Sequence, residues 1–489
     1  MLPSDPDKAV GYLYQELVRD EPRLKLNDLY YEGQQPLQFM APMLQDELGD
    51  RITELVLNWP RLGTRSYLYR LRLIGFRYAR PRRAPVGPVT SVPDDDLDDE
   101  IWGGWIDNGL VAGSRQGIIE GLINGRWYTI IGGRGDDEDS DGEGLPLITV
   151  EHPTQVYSEA DPRTRQTAAA VKRWIDDYET QAATLYLPDE TRHYRMTSGE
   201  WRELPEERDE HGFGVVPVVK WPNEDRLLRP GGTSEFRDVI PLADAANKMA
   251  TDMMISGEFH AMPRRWVFGM KEDDFVNEVG EALSTWQSIA GRLWATDKKP
   301  DEVAAGQFPE ADLSNFHNTI KLLAQLAGQM LDLPPHYMSF NTDNPASADG
   351  IRASDSRMVA RAEDKQVALG EAAKLTMRIW HRSLTGIWDA RLRRLEPVWR
   401  DPATPTVAQA ADAAVKLYQA GIVPLRQTRI KLGFQPAEID QMEAEDAKAA
   451  AADPLADIAR QQAGSGADQP DLDGPGTDDE EDDDSGGQA

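Results

Sequence analysis

The sequence predicts an α+β protein that is mainly helical, and three features support that prediction. Apolar residues recur every three or four positions along 235–260 and 312–331, which is typical of amphipathic helices. Short segments of alternating apolar and polar residues, separated by turn residues, fill 127–220 and indicate strands. A third helical pattern spans 346–395 without a proline. A β-rich part within a helical chain is typical of the α+β class.

Composition excludes several functional classes. The 489 residues include 53 basic and 84 acidic side chains, giving a formal net charge of −31, and no cysteine. Disulfides, thiolate metal sites and a cysteine nucleophile are therefore excluded. The acidic balance argues against tight DNA binding, because DNA binders displace phosphate counterions with a basic face. No run approaches about 18 apolar residues and the N-terminus lacks the blocks of a secretion signal, so we expect no membrane span and no secretion.

The N-terminal part is predicted to begin with helices and to continue into a sheet. Residues 8–58 show helical spacing with a stop at Gly33. Residues 65–77 alternate and predict a strand, whereas the prolines and aspartates of 79–96 indicate a surface loop. Residues 101–124 predict another helix. The strands of the β-rich part are predicted at 127–131, 147–150, 168–175, 183–187, 192–196 and 215–220.

The pattern at 312–331 is the clearest amphipathic stripe in the chain. Its members are Leu313, Phe316, Ile320, Leu323, Ala327 and Met330. A short segment, 263–308, with a predicted strand at 265–268, separates this helix from the one at 235–260. Because an amphipathic helix must bury its stripe, we expect adjacent copies of the chain to cover part of the pair.

The C-terminal part is predicted to be helical and then disordered. In the long helix at 346–395, Gly350, Gly370 and Gly386 are candidate bends. An Ala-rich helical unit follows at 405–450, with stops at Gly421 and Gly433. Residues 464–489 include ten acidic and no basic side chains, a composition that cannot build a core.

Motifs for catalysis and cofactor binding are missing from the sequence. It contains neither the G-x-x-x-x-G-K-[ST] phosphate loop nor H-E-x-x-H. Asp137, Asp139, Asp141 and Gly142 match the opening of an EF-hand loop, but Ile148 stands where the bidentate glutamate belongs. The flanking segments indicate strands, so an acidic turn is the better interpretation. We therefore predict no cofactor, no metal and no enzymatic activity.

Three basic residues lie on one face of the predicted long helix. Arg357, Arg361 and Lys365 are spaced i, i+4 and i+8. Nearby acidic residues favour a solvated or salt-bridged face. Contact with a neighbouring subunit or with DNA is the alternative.

The order of several short phrases resembles the portal proteins of long-tailed bacteriophages, especially those with actinobacterial hosts. The resemblance covers about residues 10–445. The phrases are Tyr30–Gly33, Asn58-Trp59, Ile74–Arg77, Trp105–Leu110, Gly125–Tyr128, Leu185–Pro188, Val216–Val219, Ile240–Lys248, Gly306–Pro309, Leu333–Met338, Ser347–Arg352, Ala420–Pro424 and Lys431–Phe434.

This resemblance implies the phage portal fold, with wing, stem, clip and crown regions assembled into a closed ring of about twelve chains. Carried over by position, the regions are a wing at 1–234, stem helices at 235–262 and 311–333, a clip at 263–310, a tunnel loop and long wing helix at 334–396, a crown at 397–450 and an acidic disordered tail at 451–489.

The layout also implies roles for individual residues. The tunnel loop would present Asn341, Thr342, Asp343 and Asn344 to DNA. The clip residues expected to dock partners are Arg264, Arg265, Trp266, Trp286, Arg292, Trp294, Lys298 and Lys299, because aromatic and arginine side chains are typical interface anchors. Leu313, Phe316, Ile320, Leu323 and Met330 would pack the stem helices.

The implied function is a channel at one capsid vertex for packaging and ejecting double-stranded DNA without sequence specificity. Its implied partners are the terminase large subunit, head-tail adaptor proteins, and the major capsid and scaffold proteins. The implied location is the virion, with the host cytoplasm during assembly. The alternatives are another structural or scaffold-like virion protein and, less favoured, a metal-dependent nuclease.

Overall fold

The computed structural model describes residues 2–36, 38, 55–79, 86–94, 96–133, 144–175, 180–228, 230–261, 265–268, 299, 301, 304–307, 313–338, 348–403, 407–434 and 436–451. The chain divides into two compact units, Met1–Thr404 and Pro405–Ala489. Both helices and strands are present, as the α+β prediction requires.

The described helices of the first unit are α1 (Pro6–Glu32), α2 (Trp59–Leu68), α3 (Leu97–Asp107), α4 (Leu110–Asn124), α5 (Ile240–Ala261), α6 (Ser314–Met330) and α7 (Ala348–Thr385). Its strands are β1 (Leu73–Tyr78), β2 (Arg126–Gly132), β3 (Leu147–Glu151), β4 (Val156–Ala160), β5 (Thr167–Ile175), β6 (Gln181–Tyr186), β7 (Thr191–Thr197), β8 (Glu200–Glu203), β9 (Val218–Pro222), β10 (Arg265–Phe268), β11 (Ala304–Gln307) and β12 (Leu395–Trp399). The second unit has α8 (Val407–Gln419), α9 (Leu425–Leu432) and α10 (Pro436–Ala451).

The described strands form four antiparallel sheets. Strands β4 to β8 are hydrogen-bonded in chain order as a five-stranded meander, and β2 lies between β3 and β9. The two-stranded sheets join β1 to β12 and β10 to β11. The strands predicted between 127 and 220 are confirmed, with β9 beginning at Val218 rather than at 215.

Helix α1 covers one face of the five-stranded sheet. It begins at Asp5, whose side chain accepts a hydrogen bond from the Asp7 amide, and it ends at Gly33, where φ is 71°. The helix residues buried against the sheet are Ala9, Val10, Leu13 and Leu17. The predicted stop at Gly33 is therefore confirmed.

A larger core joins α3, α4, β2, β9 and α7. Trp127 and Trp221 stack with ring centroids 4.3 Å apart, and both are almost completely buried. Trp127 lies directly on α4 at Gly117 and Gly121, where a Cβ atom would collide with its ring. The glycines therefore set the close approach of helix to sheet.

The strand prediction for 65–77 is wrong in its first half. Residues Trp59–Leu68 form α2, and β1 starts only at Leu73. Asn58 caps the helix by accepting from the Arg61 amide, and Pro60 stands in the first turn. Gly63 and Tyr67 lie on the same face of α2, and both lie against Leu331, the residue that follows α6. This long-range contact has no local signal in the sequence.

Two predicted helices are shorter or divided. The helix expected over 101–124 is interrupted at Asn108 and at Gly109, which has φ of 64°. The helix expected over 346–395 ends at Thr385, and Gly386, with φ of 75°, terminates it rather than bending it. Residues beyond the end form a 3₁₀ turn and strand β12, which the helical pattern concealed.

Helices α5 and α6 run antiparallel and pack against each other. Small residues allow close contact at the end nearest the core, where Ala243, Ala246, Ala324 and Ala327 are buried. Other apolar side chains stay open in the single chain, with Leu322 55% exposed and Met254 42% exposed. The pair is therefore only partly covered by its own chain.

The second unit confirms the predicted Ala-rich helices. Gly421 and Gly433 adopt positive φ at the ends of α8 and α9, where stops were expected. The second unit begins at Pro405, whereas the crown was predicted to begin at 397. Residues 397–399 belong to β12, which pairs with β1 in the first unit.

Helix α1 is held on the five-stranded sheet by an ion pair that predicts a pH effect. Arg173 Nη1 lies 2.8 Å from Glu21 Oε2, and hydrogen bonds from Arg173 and Lys25 lower the pKa of Glu21 to about 2. Because the folded pKa is depressed, this stabilisation is present above the usual pKa of 4.5 and is lost as pH falls toward about 2. We expect Glu21→Gln to lower the free energy of unfolding by about 1 kcal/mol or less at pH 7, with the difference vanishing near pH 2.

Urea denaturation across this pH range measures the effect. The control is Glu16→Gln, which removes an ion pair within α1 itself and should cost less at pH 7. A Glu21→Gln difference that did not change with pH would contradict the assignment.

Candidate functional site

Six charged side chains meet where α5 and α6 leave the core of the first unit, and we call them the junction cluster. Its members are Glu224, Glu235, Asp332, Arg357, Arg361 and Lys365. The three basic residues occupy successive turns of one face of α7, as their spacing predicts. Glu235 precedes α5, Asp332 follows α6, and Glu224 follows β9. The cluster therefore ties the start of α5 and the end of α6, which form one end of the antiparallel pair, to α7.

Lys365 and Glu235 form the buried centre of the cluster. Their side chains are 4% and 0% exposed, and the ammonium donates to the carboxylate. Lys365 Nζ also donates to Asn223 Oδ1 at 2.8 Å and to Glu224 Oε1 at 3.2 Å. Asn223 Nδ2 donates to Glu235 Oε1 at 3.0 Å. Each buried charge therefore has a charged and a neutral partner.

Arg361 connects the remaining acidic groups. Its Nη2 atom donates to Glu224 Oε1 at 2.5 Å and lies 2.9 Å from Glu235 Oε2. Its Nη1 atom donates to Asp332 Oδ2 at 3.2 Å, and Arg357 Nη2 lies 2.5 Å from Asp332 Oδ1. One guanidinium thus contacts residues before α5 and after α6.

Tyr67 forms the apolar wall of the cluster. Arg361 Cζ and Lys365 Nζ lie 5.5 Å and 5.4 Å from its ring centroid, within the range of cation–π attraction. The Tyr67 hydroxyl donates to the Leu331 carbonyl at 2.8 Å, and burial is the main cause that raises its pKa. Helix α2 is therefore joined to the last turn of α6 at the same point.

Two acidic members have a backbone conformation that L-residues seldom adopt. Glu224 has φ of 49° and Asp332 has φ of 52°. This left-handed conformation costs about 1–2 kcal/mol per residue. From these backbone positions the two carboxylates reach Arg357, Arg361 and Lys365.

The charges within the cluster balance, which limits its chemistry. Burial opposes ionisation of Glu224, but the charges of Lys365 and Arg361 together hold its pKa below the usual value. The same carboxylates raise the pKa of Arg361 against burial. With its cations paired to its own carboxylates, the cluster is suited to anchoring helices rather than to binding phosphate. The α7 basic face is thus salt-bridged as predicted, but to Glu224, Glu235 and Asp332 from other segments rather than to the nearby acidic residues of α7 itself.

A second group, which we call the Arg70 cluster, comprises Arg70, His336, Tyr337 and Asp355. Arg70 is 6% exposed and donates through Nη2 to Asp355 Oδ2 at 3.1 Å and to the Tyr337 hydroxyl at 3.2 Å. His336 Nε2 lies 3.8 Å from Asp355 Oδ1. Tyr337 precedes residues 339–347 and Asp355 lies within α7 after them, so Arg70 connects the described residues on the two sides of that segment.

The structure brings together only part of the predicted site. Asn341, Thr342, Asp343 and Asn344 lie outside the described residues, as do Arg264, Trp286, Arg292, Trp294 and Lys298. Arg265 and Trp266 lie on β10, opposite Gln307 and Gly306 of β11, and Lys299 is exposed. Strands β10 and β11 thus pair the chain leaving α5 with the chain returning to α6.

The residues predicted to pack the stem helices divide into two groups. Leu313, Phe316, Ile320 and Leu323 are half-buried on α6. Met330 is 51% exposed, so the single chain leaves it largely uncovered. Packing of these side chains against a neighbouring chain stays a prediction.

Sequence reasoning found the basic half of the junction cluster and missed the acidic half. Glu224, Glu235 and Asp332 are distant in sequence from α7 and carry no periodic signal. Arg70 was missed for the same reason, whereas Asp355 lies on α7 but was not predicted to pair with Arg70. One clue was available in the sequence. Glu235 lies shortly before α5 and Asp332 shortly after α6, the two helices with the clearest amphipathic patterns.

Three other features of the described residues concern metal binding, the acidic segment at 134–143 and membrane spans. Among them, Asp28, Glu120 and His152 form the one group of three side chains close enough to share a metal ion. Strands β2 and β3 flank the acidic segment tested against the EF-hand pattern, so the predicted flanking strands are confirmed. No described helix is long and apolar enough to cross a membrane.

Comparison with known proteins identifies the class to which this architecture belongs. Residues 11–452 match the family described as phage portal protein, SPP1 Gp6-like. The chain therefore belongs to the phage portal protein family, which is structural rather than enzymatic. As a portal protein, it serves the capsid in DNA packaging and is a component of the virion.

Two relatives place the chain among portal proteins of actinobacterial phages. It is 33% identical to the portal protein of Mycobacterium phage D29 over 456 residues, covering 92% of this chain and 90% of the relative. It is 33% identical to the portal protein of Mycobacterium phage L5 over 441 residues, covering 88% and 86%. The resemblance stated from the sequence is confirmed.

Proposed function

We propose that the chain assembles into a closed ring of about twelve copies at one capsid vertex, with double-stranded DNA passing through its centre. The observation that supports this is the α5–α6 pair. It is anchored at its base by the junction cluster, yet it leaves Leu322, Met330 and Met254 exposed in the single chain. Heterologous contacts between adjacent copies would cover these side chains and close on rotation.

The regions follow from the family layout. Helices α5 and α6 form the stem, the segment from 263 to 310 forms the clip, and the second unit forms most of the crown. The wing comprises residues 1–234 and α7. The layout assigns 339–349 to the tunnel loop, of which 348 and 349 are the first residues of α7, and the Arg70 cluster would lie at its base.

DNA would pass through the channel without sequence-specific contacts. The net charge of −31 disfavours adhesion to phosphates, because each basic contact with DNA would add salt-dependent binding. Asn341, Thr342, Asp343 and Asn344 offer short polar side chains for transient contact with the backbone. A weakly interacting channel lets DNA move in both directions.

The clip is the proposed docking surface for successive partners. During packaging it would receive the terminase large subunit, which supplies the ATP-driven motor, and afterwards the head-tail adaptor proteins. Arg264, Arg265, Trp266, Trp286 and Trp294 are the proposed anchors. Major capsid and scaffold proteins would surround the ring during assembly in the host cytoplasm.

Native mass measurement of the purified full chain tests the ring. Twelve chains of 54.6 kDa give an expected mass of roughly 655 kDa. Negative-stain images should show annular particles with a central hole. Material that stays monomeric at high concentration, with or without capsid and scaffold proteins, would rule the ring out.

A further inference from the structure

We propose that Asp28, Glu120 and His152 form a binding site for a divalent transition-metal ion of the Zn²⁺ type. The three residues come from α1, from α4 and from the residue following β3. One ligand atom from each lies within 4.8 Å of the other two. The site belongs to the first unit and is independent of the proposed ring.

The geometry suits a small ion after slight side-chain movement. His152 Nε2 lies 3.1 Å from Glu120 Oε2. Two neighbouring ligands on a tetrahedral ion with bonds of about 2.0–2.2 Å are separated by about 3.3–3.6 Å, so this pair needs to open by only a few tenths of an ångström. Asp28 closes a recess of about 170 Å³ that is lined by Asp28, Tyr31, Glu32, Glu120, Ile123 and His152.

The electrostatics of the recess favour a cation. Asp28 is half-buried, and two further carboxylates, Glu120 and Glu32, line the same recess. Glu32 is paired with Arg61, whereas Asp28 receives its hydrogen bond from a neutral amide. A divalent ion between Asp28 and Glu120 would neutralise two carboxylates that otherwise repel each other.

A buried amide provides an independent indication of a ligand. Asn124 is 0% exposed, and its Nδ2 atom lies 3.1 Å from Asp28 Oδ1 and 3.2 Å from His152 Nε2. Its Oδ1 atom has no hydrogen-bond partner among the described residues. A half-turn of the amide would give up the hydrogen bonds of Nδ2 and direct Oδ1 toward Asp28 and His152, where it could bind a cation together with the Asp28 oxygen and the His152 nitrogen. Asn124 would then supply a fourth donor.

Thr154 orients the histidine for this role. The Thr154 backbone N–H donates to His152 Nδ1 at 3.1 Å, which places the ring proton on Nε2 beside Glu120, and Thr154 Oγ1 lies 2.7 Å from the same Nδ1 atom. A metal at Nε2 would shift that proton to Nδ1, where Thr154 Oγ1 would accept it in place of the contact with the Thr154 N–H. A partner on the second ring nitrogen is the usual support of a metal-bound histidine.

The donor set selects the class of ion. One imidazole nitrogen, two carboxylates and one amide oxygen suit Zn²⁺ better than Mg²⁺, which prefers oxygen donors and keeps several waters. The bound ion would connect α1 to α4 and to the turn between β3 and β4. It would therefore strengthen the contact between the five-stranded sheet, through α1, and the larger core.

Calorimetric titration of the full chain, freed of metal by a chelator, tests the site with Zn²⁺ and Mg²⁺ separately. We expect one Zn²⁺ site per chain, a higher unfolding temperature with Zn²⁺ and no comparable effect of Mg²⁺. His152→Ala and Asp28→Asn should each weaken Zn²⁺ binding at least about tenfold. The matched controls are His317→Ala and Glu363→Gln, which remove the same chemical groups from exposed positions and should bind Zn²⁺ like the wild type.

A second readout keeps the test independent of variant stability. Co²⁺ bound to the wild-type chain should give visible absorption bands of a nitrogen- and oxygen-ligated ion, and the milder His152→Asn variant should lose them. Circular dichroism checks that each variant is folded. If the folded wild type shows no Zn²⁺ site, or His152→Ala and His317→Ala bind alike, the group is a hydrogen-bonded His–Glu pair and the proposal fails.

Discussion

Replacing Lys365 with methionine should destabilise the first unit by about 3–5 kcal/mol, because the change breaks a buried ion pair and leaves one charge uncompensated. Glu235 is 0% exposed, and Lys365 is the ammonium that donates to it. Arg361 lies close to the same carboxylate but is also shared with Glu224 and Asp332. The remaining guanidinium therefore does not replace the lost charge.

Urea denaturation followed by tryptophan fluorescence measures this effect, since the large core of the first unit contains several tryptophans. The matched control is Lys374→Met on the same helix, where the partner Glu371 is 75% exposed, so the expected cost is below about 1 kcal/mol. The double variant Lys365→Met/Glu235→Leu should recover much of the loss, because it removes both buried charges. Equal stability of Lys365→Met and Lys374→Met would show that the junction cluster is not an anchor.

Adding charge to the open face of α6 should abolish ring assembly while leaving the single chain folded. In the variant Leu322→Glu/Met330→Glu, two side chains that are 55% and 51% exposed in the single chain become carboxylates. The proposed ring buries them, so each interface would lose about 1.5–3 kcal/mol per apolar side chain and bury new charge as well. The loss recurs at each interface of a closed ring.

Analytical ultracentrifugation and native mass measurement follow the assembly, and thermal unfolding of the single chain checks its fold. The control is Ile175→Glu, which introduces the same charge at a side chain 70% exposed at the end of β5. We expect rings from the wild type and the control, and single chains from the α6 variant. Rings of normal mass from the α6 variant would exclude α6 from the subunit interface.

The two clusters connect separate helices of the first unit through buried charge. The junction cluster holds the start of α5 and the end of α6 against α7, and Arg70 connects Tyr337 to Asp355 on α7.

Local patterns allowed much of the secondary structure to be predicted. The strands of the β-rich part and helix α6 follow from periodicity, because side chains alternate on a strand and recur every three or four residues on a helix. Periodicity misassigned residues 65–68 because the alternation of β1 was extended back into α2. Strand β12 was missed for a related reason, since its pairing with β1 spans most of the first unit and leaves no local signal.

The sequence by itself determined the family, through phrases spread along almost the whole chain, and it determined that Arg357, Arg361 and Lys365 share one helical face. Only the tertiary structure decided which carboxylates meet those cations, and that Asp28, Glu120 and His152 converge on one recess. The physical reason is that helical and strand periodicity act over a few residues, whereas ion pairs and metal sites depend on side chains that folding brings together from distant segments.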